Sequence, residues 1–336
     1  MATKAPEQRI PSSTVDLTVD GIQHGHLTVP VSTHQSRLGA AQVPVCVMRN
    51  GEGPTVSLIS GTGGDEFEGQ IALHNLASSI ALESISGCLI LVPGLNPLAL
   101  ANSSAASPSD AKTLSHCFPG NENGTDTQRL AAMLYRTLLQ PADLVIELRS
   151  GGYTTEYAPM ASVHFNHDKK DLQARCEETM IAFGAPYSTR LALDNTDTLA
   201  ISLYEQNSAY MCAWLGGGGV ATASRIEIAT TGCRNALVQC GVLQHELVLR
   251  STRMLEVTSN KNYVIAPDAG LLEMCRDTGD EVYMGSPVAR IIQPGHTGSK
   301  PIVLKADRNG ILMARHCHGL INQGDCIAVV ADEVQR

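Results

Sequence analysis

Aromatic side chains are scarce in this chain, at 4% of 336 residues with a single tryptophan. Basic residues are outnumbered: 24 Lys+Arg stand against 33 Asp+Glu, giving a formal net charge of -9 with no basic cluster. That balance excludes a nucleic-acid-binding surface, which neutralises phosphates with grouped cations. No apolar run approaches the roughly 18–20 residues that a membrane-spanning helix requires. Met1 to Ser13 is polar and Pro-containing, without the apolar stretch of an export signal. The ten cysteines are scattered singly, with no CxxC pair. Reduced, mostly buried thiols in a cytoplasmic setting are therefore expected, and no disulfide framework.

What is present is an ordinary globular composition, 43% hydrophobic and 17% charged. The length exceeds what one core fills, since single cores stop growing near about 250–300 residues, so a large domain and a smaller one are expected. Residues 14–50 alternate apolar and polar positions and read as strands joined by Gly-rich turns. TVSLIS, the turn GTGGDEFEG and IALHNLASSIALE then read as strand, turn and helix. CLILVPGLNP is another strand, Ala101 to Gly124 a long loop, TQRLAAMLYRTLL an amphipathic helix and DLVIELRSGG a buried strand. Strands alternating with helices predict an α/β sheet, with ligands beyond the strand ends. From about Tyr263 short strands and turns at Asp268-Ala269-Gly270 and Asp277-Thr278-Gly279-Asp280 predict a small all-β domain. The expected division is an N-terminal β segment over 1–50 packing on the main domain, an α/β domain over 51–255 and a β domain over 260–336.

The order of motifs resembles the succinylglutamate desuccinylase/aspartoacylase family, most closely its N-acetyl-diaminobutyrate deacetylase branch. The resemblance runs through Asn50-Gly51-Glu52-Gly53-Pro54-Thr55, Gly64-Asp65-Glu66-Phe67-Glu68-Gly69, Asn96-Pro97, Ser107-Pro108-Ser109-Asp110, Phe118-Pro119-Gly120, Ala142-Asp143, Ser150-Gly151-Gly152, Ala185-Pro186-Tyr187 and Gly216 to Gly219. It implies a zinc-carboxypeptidase-like mixed sheet flanked by helices, a barrel-sandwich-like C-terminal domain, and hydrolysis of N-acyl amino acids. It also implies zinc held by two His and one Glu with a position open for water, and a second Glu to take that water's proton.

The residues at those positions differ. Where the family reads His-Gly-Asp-Glu, this chain has Gly63-Gly64-Asp65-Glu66, and the Asp-Leu-His-Ser-Gly-Gly run becomes Glu147-Leu148-Arg149-Ser150-Gly151-Gly152. Guanidinium has no lone pair to give a metal. The family's Thr-Glu-Leu-Gly-Gly becomes Ala213-Trp214-Leu215-Gly216-Gly217, so the only tryptophan stands where the proton acceptor belongs. An Arg expected before Ser107-Pro108 aligns with Ala105, and Asn-Leu-Asn-Arg with Thr113-Leu114-Ser115-His116.

The metal positions are thus Gly63, Glu66 and Arg149, none forming an intact set, and no cofactor is expected. The catalytic candidates are Glu66, Arg149 and His116. The substrate-binding candidates are Arg149, Ser150, Ser115, Trp214 and Asp110. Three readings follow: a non-catalytic binder of a small carboxylated amino acid derivative or of an active paralogue; a metal-free enzyme using Arg149, Glu66 and His116, with Cys117 as a further proton carrier; and a hydrolase with zinc relocated to His164, His167 and Glu66. A homo-oligomer, or a hetero-oligomer with the paralogue, is expected. Nucleic-acid and membrane partners are not. His316 and His318 share one strand face and are a weaker metal candidate, Gly216 to Gly219 reads as a place of close backbone approach or positive φ, and Lys300 and Lys305 lack the neighbours of a carrier-domain lysine.

Overall fold

The computed structural model describes residues 11–31, 39–165, 168–193, 198–248 and 250–335. The elements that position the site are, in chain order, β1 (Gly21–Val31), β2 (Gly39–Asn50), β3 (Thr55–Ser60), α1 (Glu68–Ser79), β4 (Gly87–Val92), α2 (Asp126–Leu134), β5 (Leu144–Arg149), β6 (Thr155–Tyr157), β7 (Met160–Phe165), α3 (Lys170–Phe183), β8 (Tyr187–Ala192), α4 (Thr198–Glu205), β9 (Ala209–Trp214), α5 (Ala223–Gln239) and β10 (Arg253–Glu256). They build one mixed sheet in the order β1-β2-β4-β3-β5-β9-β7-β8-β10. β4, β3, β5 and β9 run parallel, while β9 pairs antiparallel with β7.

The central strands are covered on both faces, and their composition shows it. β4 reads GCLILV with every residue buried, the continuous apolar run that a two-sided burial demands. Each such Leu or Ile contributes on the order of 1.5–3 kcal/mol relative to exposure. α1 lays Ala72, Leu73 and Leu76 into the same core. α2 opens with a capping box between Thr125 and Gln128, and α3 stops at Gly184, left-handed at φ +67. The loop from 101 to 124 is irregular apart from one turn at Leu114–His116, as the Ser, Asn and Gly content predicts.

Of the N-terminal segment, β1 and β2 are hydrogen-bonded onto the sheet through β4. At the other end β11 (Gly270–Met274), β12 (Pro287–Ile292), β13 (Ile302–Lys305), β14 (Gly310–His316), β15 (Leu320–Ile321) and β16 (Cys326–Val334) follow. β13, β12, β11 and β15 form a separate antiparallel sheet over a core that includes Val288, Ile291, Leu312 and Ile327. β16 pairs with β10, and β14 with β6, so the last strands are stitched onto the main sheet. None of the described helices is long and apolar enough to cross a membrane.

Candidate functional site

β3, β5 and β9 end side by side at Ser60, Arg149 and Trp214. The turns beyond them, Gly61 to Glu66, Ser150 to Gly152 and Gly216 to Gly219, meet at the carboxyl edge, where open α/β sheets hold ligands. Here Arg149 and Glu66 form a two-pronged ion pair: Nη2 donates to Oε1 at 2.8 Å and Nε to Oε2 at 3.3 Å. The Ser150 backbone N–H donates to Oε2 at 3.2 Å. Glu66 is 5% exposed, so the pair is a charge-assisted contact with little water around its acid. Gly63 makes room for it. A Cβ at Gly63 would lie 2.7 Å from the Glu66 Oε1.

A second carboxylate stands behind the first. Glu147 is two residues before Arg149 on β5 and therefore on the same sheet face. It is 2% exposed, with Oε1 3.7 Å from Arg149 Nε. Thr62 Oγ1 and the Tyr210 hydroxyl donate to its two oxygens, each at 2.6 Å. The cluster thus sets two acids against one base. Burial, with Glu147 adding to it, pushes the Glu66 carboxyl up despite the opposing pull of Arg149. Burial works against the Arg149 charge, but the two carboxylates outweigh it and hold its pKa above the ordinary value. Burial pushes the Tyr210 phenol up, and Glu147 adds to that.

Glu147, Arg149 and Tyr210 line a cavity of about 60 Å³ together with Ser115, His116, Leu199 and Ala200. His116 is exposed and Ser115 half-buried, both on the Leu114–His116 turn. The Ser115 carbonyl accepts from Thr198 Oγ1 at 2.6 Å, tying that turn to α4.

Of the sequence-predicted residues, the structure therefore brings together Glu66, Arg149 and Ser150 as direct partners, with His116 and Ser115 on the far wall of the same cavity. Trp214 roofs Arg149, its ring centroid 5.1 Å from the guanidinium carbon, and Tyr157 packs on it at 4.8 Å between centroids. Trp214 does not line the cavity. Nor does Asp110, whose carboxylate accepts from Thr127 Oγ1 at 2.6 Å, Thr127 N at 3.0 Å and Lys112 N at 3.2 Å. Its work is to fasten the loop to α2. Cys117 is half-buried, and burial raises its thiol pKa.

His164 is buried inside β7, its ring 5.9 Å from that of Tyr210. His167 lies outside the described residues. Among the described residues, no group of three His, Cys, Asp or Glu is arranged to hold a metal ion. β14 ends at His316, and the His316 and His318 rings stand 5.7 Å apart. Gly216 to Gly219 all have positive φ, and a Cβ on Gly217 would lie 2.0 Å from the Thr155 carbonyl oxygen, so close approach is required there.

Sequence reading passed over Glu147, Tyr210 and Thr62. The signal for Glu147 was an acid inside the apolar run LVIELR, in step with Arg149. Tyr210 is placed by sheet register alone. Also missed was the frame beside the site. Glu68, 1% exposed, accepts from Gly217 N at 2.9 Å and sits 3.8 Å from Arg225 Nη1. Arg225 also pairs with Glu156, which pairs in turn with Arg315 of β14.

Comparison with known proteins agrees with this architecture. The succinylglutamate desuccinylase/aspartoacylase catalytic domain matches residues 52–239. The N-alpha-acetyl-L-2,4-diaminobutyric acid deacetylase of Halomonas elongata is 36% identical over 339 residues, spanning 99% of each chain. The product-bound ectoine utilization protein EutE (DoeB) of Ruegeria pomeroyi superposes with a TM-score of 0.90 at 39% identity, covering 96% of this chain and 98% of the other. A succinylglutamate desuccinylase from Silicibacter gives 0.91 at 37% identity, covering 98% and 100%. The mixed sheet, the C-terminal antiparallel sheet and these matches together make the chain a member of the succinylglutamate desuccinylase/aspartoacylase family, whose members act on small acylated amino acids.

Proposed function

We propose that this chain is a zinc-independent member of its family that has given up hydrolysis and keeps the pocket for binding a small amino acid derivative. The observation that carries the reading is the two-pronged Arg149–Glu66 pair at the family's ligand positions. The residues present do not fit zinc. A tetrahedral site needs three protein donors beside its water, and here Gly63 offers no side chain, Arg149 has no lone pair, and Glu66 is already held by Arg149. Trp214 brings no carboxylate to take a proton. The remaining cavity is far smaller than the usual ligand pocket of about 300–1,000 Å³, at about 60 Å³, so a ligand enters it by one end.

The test is elemental analysis of the purified, untagged protein together with an assay on N-alpha-acetyl-L-2,4-diaminobutyric acid, which the name of the Halomonas relative suggests. Near-zero zinc and no hydrolysis are expected. About one zinc per chain with chelator-sensitive turnover would overturn the reading. The triple variant Gly63→His, Arg149→His, Trp214→Glu should gain tight zinc binding, because releasing Arg149 frees Glu66 to move off the space a Gly63 Cβ needs.

A second reading, metal-free catalysis, is favoured by one observation: His116 and Arg149 line the same cavity, with Glu66 bound to the latter. Turnover that survives a chelator and is lost in His116→Ala would support it. Assembly, with a second copy of the chain or with an active paralogue, is favoured by an exposed apolar row on the C-terminal sheet, where Leu271 pairs with both Ile292 and Leu320. Native mass measurement of the chain alone and mixed with a paralogue tests that assembly.

A further inference from the structure

We propose that the cavity beside Glu147 receives the primary ammonium group of a small ligand, not its carboxylate. The inference rests on the binding reading above and names which end of the ligand is held. Its starting point is the charge count. Glu66 and Glu147 face one guanidinium, and Arg149 spends Nη2 and Nε on Glu66. Among the residues lining the cavity, the charged groups are Glu147 and Arg149, with His116 at the exposed rim. With both acids ionised the cluster carries a formal surplus of one negative charge, and Glu147 is the acid that lines the cavity.

Glu147 has acceptor capacity to spare. Each oxygen accepts one hydroxyl, from Thr62 or from Tyr210, and a carboxylate oxygen has two lone-pair sites. A third donor carrying positive charge would make a charge-assisted bond and neutralise the surplus in one step. A carboxylate in the same place would sit against Glu147, a like-charge arrangement that opposes binding, and would find Nε and one Nη2 hydrogen of Arg149 already given to Glu66. Size gives the same answer. The volume of about 60 Å³ admits about two water-sized groups at roughly 30 Å³ each. An aminomethyl end fits, with the remainder of the ligand passing Ser115 and His116 toward solvent.

The experiment is isothermal titration calorimetry of the wild-type protein with three probes of one length, n-propylammonium, propionate and 1-propanol, each with and without EDTA. Binding of n-propylammonium at least tenfold tighter than either other probe, unchanged by EDTA, is expected. Glu147→Gln should weaken amine binding at least tenfold. Since that variant removes a buried charge and could fold poorly, the wild-type comparison among probes stands as the independent measurement. Propionate binding as well as the amine, an amine affinity unaltered in a folded Glu147→Gln, or no amine binding at all would overturn the inference. Failure of the amine to bind a zinc-free protein sinks this inference alone. Amine binding abolished by EDTA would place the ligand on a metal and sink the zinc-independent reading with it.

Discussion

Two buried acids two residues apart, Glu66 and Glu68, differ in how their counter-charge is supplied. Glu68 accepts a backbone N–H from Gly217 and faces Arg225, which is shared with Glu156 and through it with Arg315. Its partners, and theirs in turn, come from the glycine turn, α5, β6 and β14, so the charge is spread over the frame. Glu66 likewise accepts a backbone N–H, from Ser150, but its one counter-charge is a guanidinium that a second acid, Glu147, also faces. The frame around the pocket thus spreads its acids over two arginines, whereas the pocket corner sets two acids on a single one. Chemistry at the corner can change while the network keeps the turns in place.

That contrast breaks most visibly at Arg149. Arg149→Ala leaves Glu66 and Glu147 buried without a counter-charge, and removing one member of a buried pair typically costs about 3–5 kcal/mol. Chemical denaturation at neutral pH should show a loss in that range. A loss under about 1 kcal/mol would mean that water already screens the pair as it does at a surface. Arg225→Ala comes second. Glu68 keeps its backbone donor and Glu156 keeps Arg315, so about 2–3 kcal/mol is expected, below the usual loss for a broken buried pair. Binding of n-propylammonium should be unaltered in Arg225→Ala. A matching loss of binding would show that frame and corner are one unit.

The same contrast explains how much was readable from the sequence. The parallel strands, α1 and the small β domain follow from TVSLIS, GCLILV and the turn residues, where local pattern and tertiary burial agree. Gly63, Glu66 and Arg149 were legible because each occupies a motif position. Glu147 was legible in principle from its period-two step to Arg149. Tyr210 and the Arg225–Glu156–Arg315 chain were not, because long-range register and helix placement bring together residues up to 159 positions apart, which no local pattern encodes. Asp110 and Trp214 show the converse: a motif position marks a residue as placed, and only the fold tells whether it faces a ligand or holds a loop.

A third test uses pH. Glu66 has a folded-state pKa above its ordinary 4.5, because of burial and then Glu147. The folded protein therefore binds that proton more tightly than the unfolded chain does, so this group's contribution is complete at low pH and is lost as pH rises through the folded value. Glu66→Gln removes the titration. Melting temperatures followed upward from pH 4.5 should fall less steeply in Glu66→Gln than in the wild type. Parallel curves would show that Arg149 holds Glu66 fully ionised.

The smallest effect is expected at Asp110, and it sharpens the contrast from the frame side. Its three hydrogen bonds, two from Thr127 and one from Lys112, anchor the loop that carries Ser115 and His116 to the start of α2. Burial opposes the charge, but the donors from Thr127 and Lys112, with Thr125 close by, win and lower its pKa, so the ionised form is the one that holds the loop. Asp110→Ala should cost about 1 kcal/mol, the usual loss for a capping carboxylate near a helix start. Because Ser115 is tied independently to Thr198, the cavity wall stays in place and the affinity for n-propylammonium stays within twofold of the wild type. A larger drop would assign Asp110 to ligand recognition after all, through the position it gives His116.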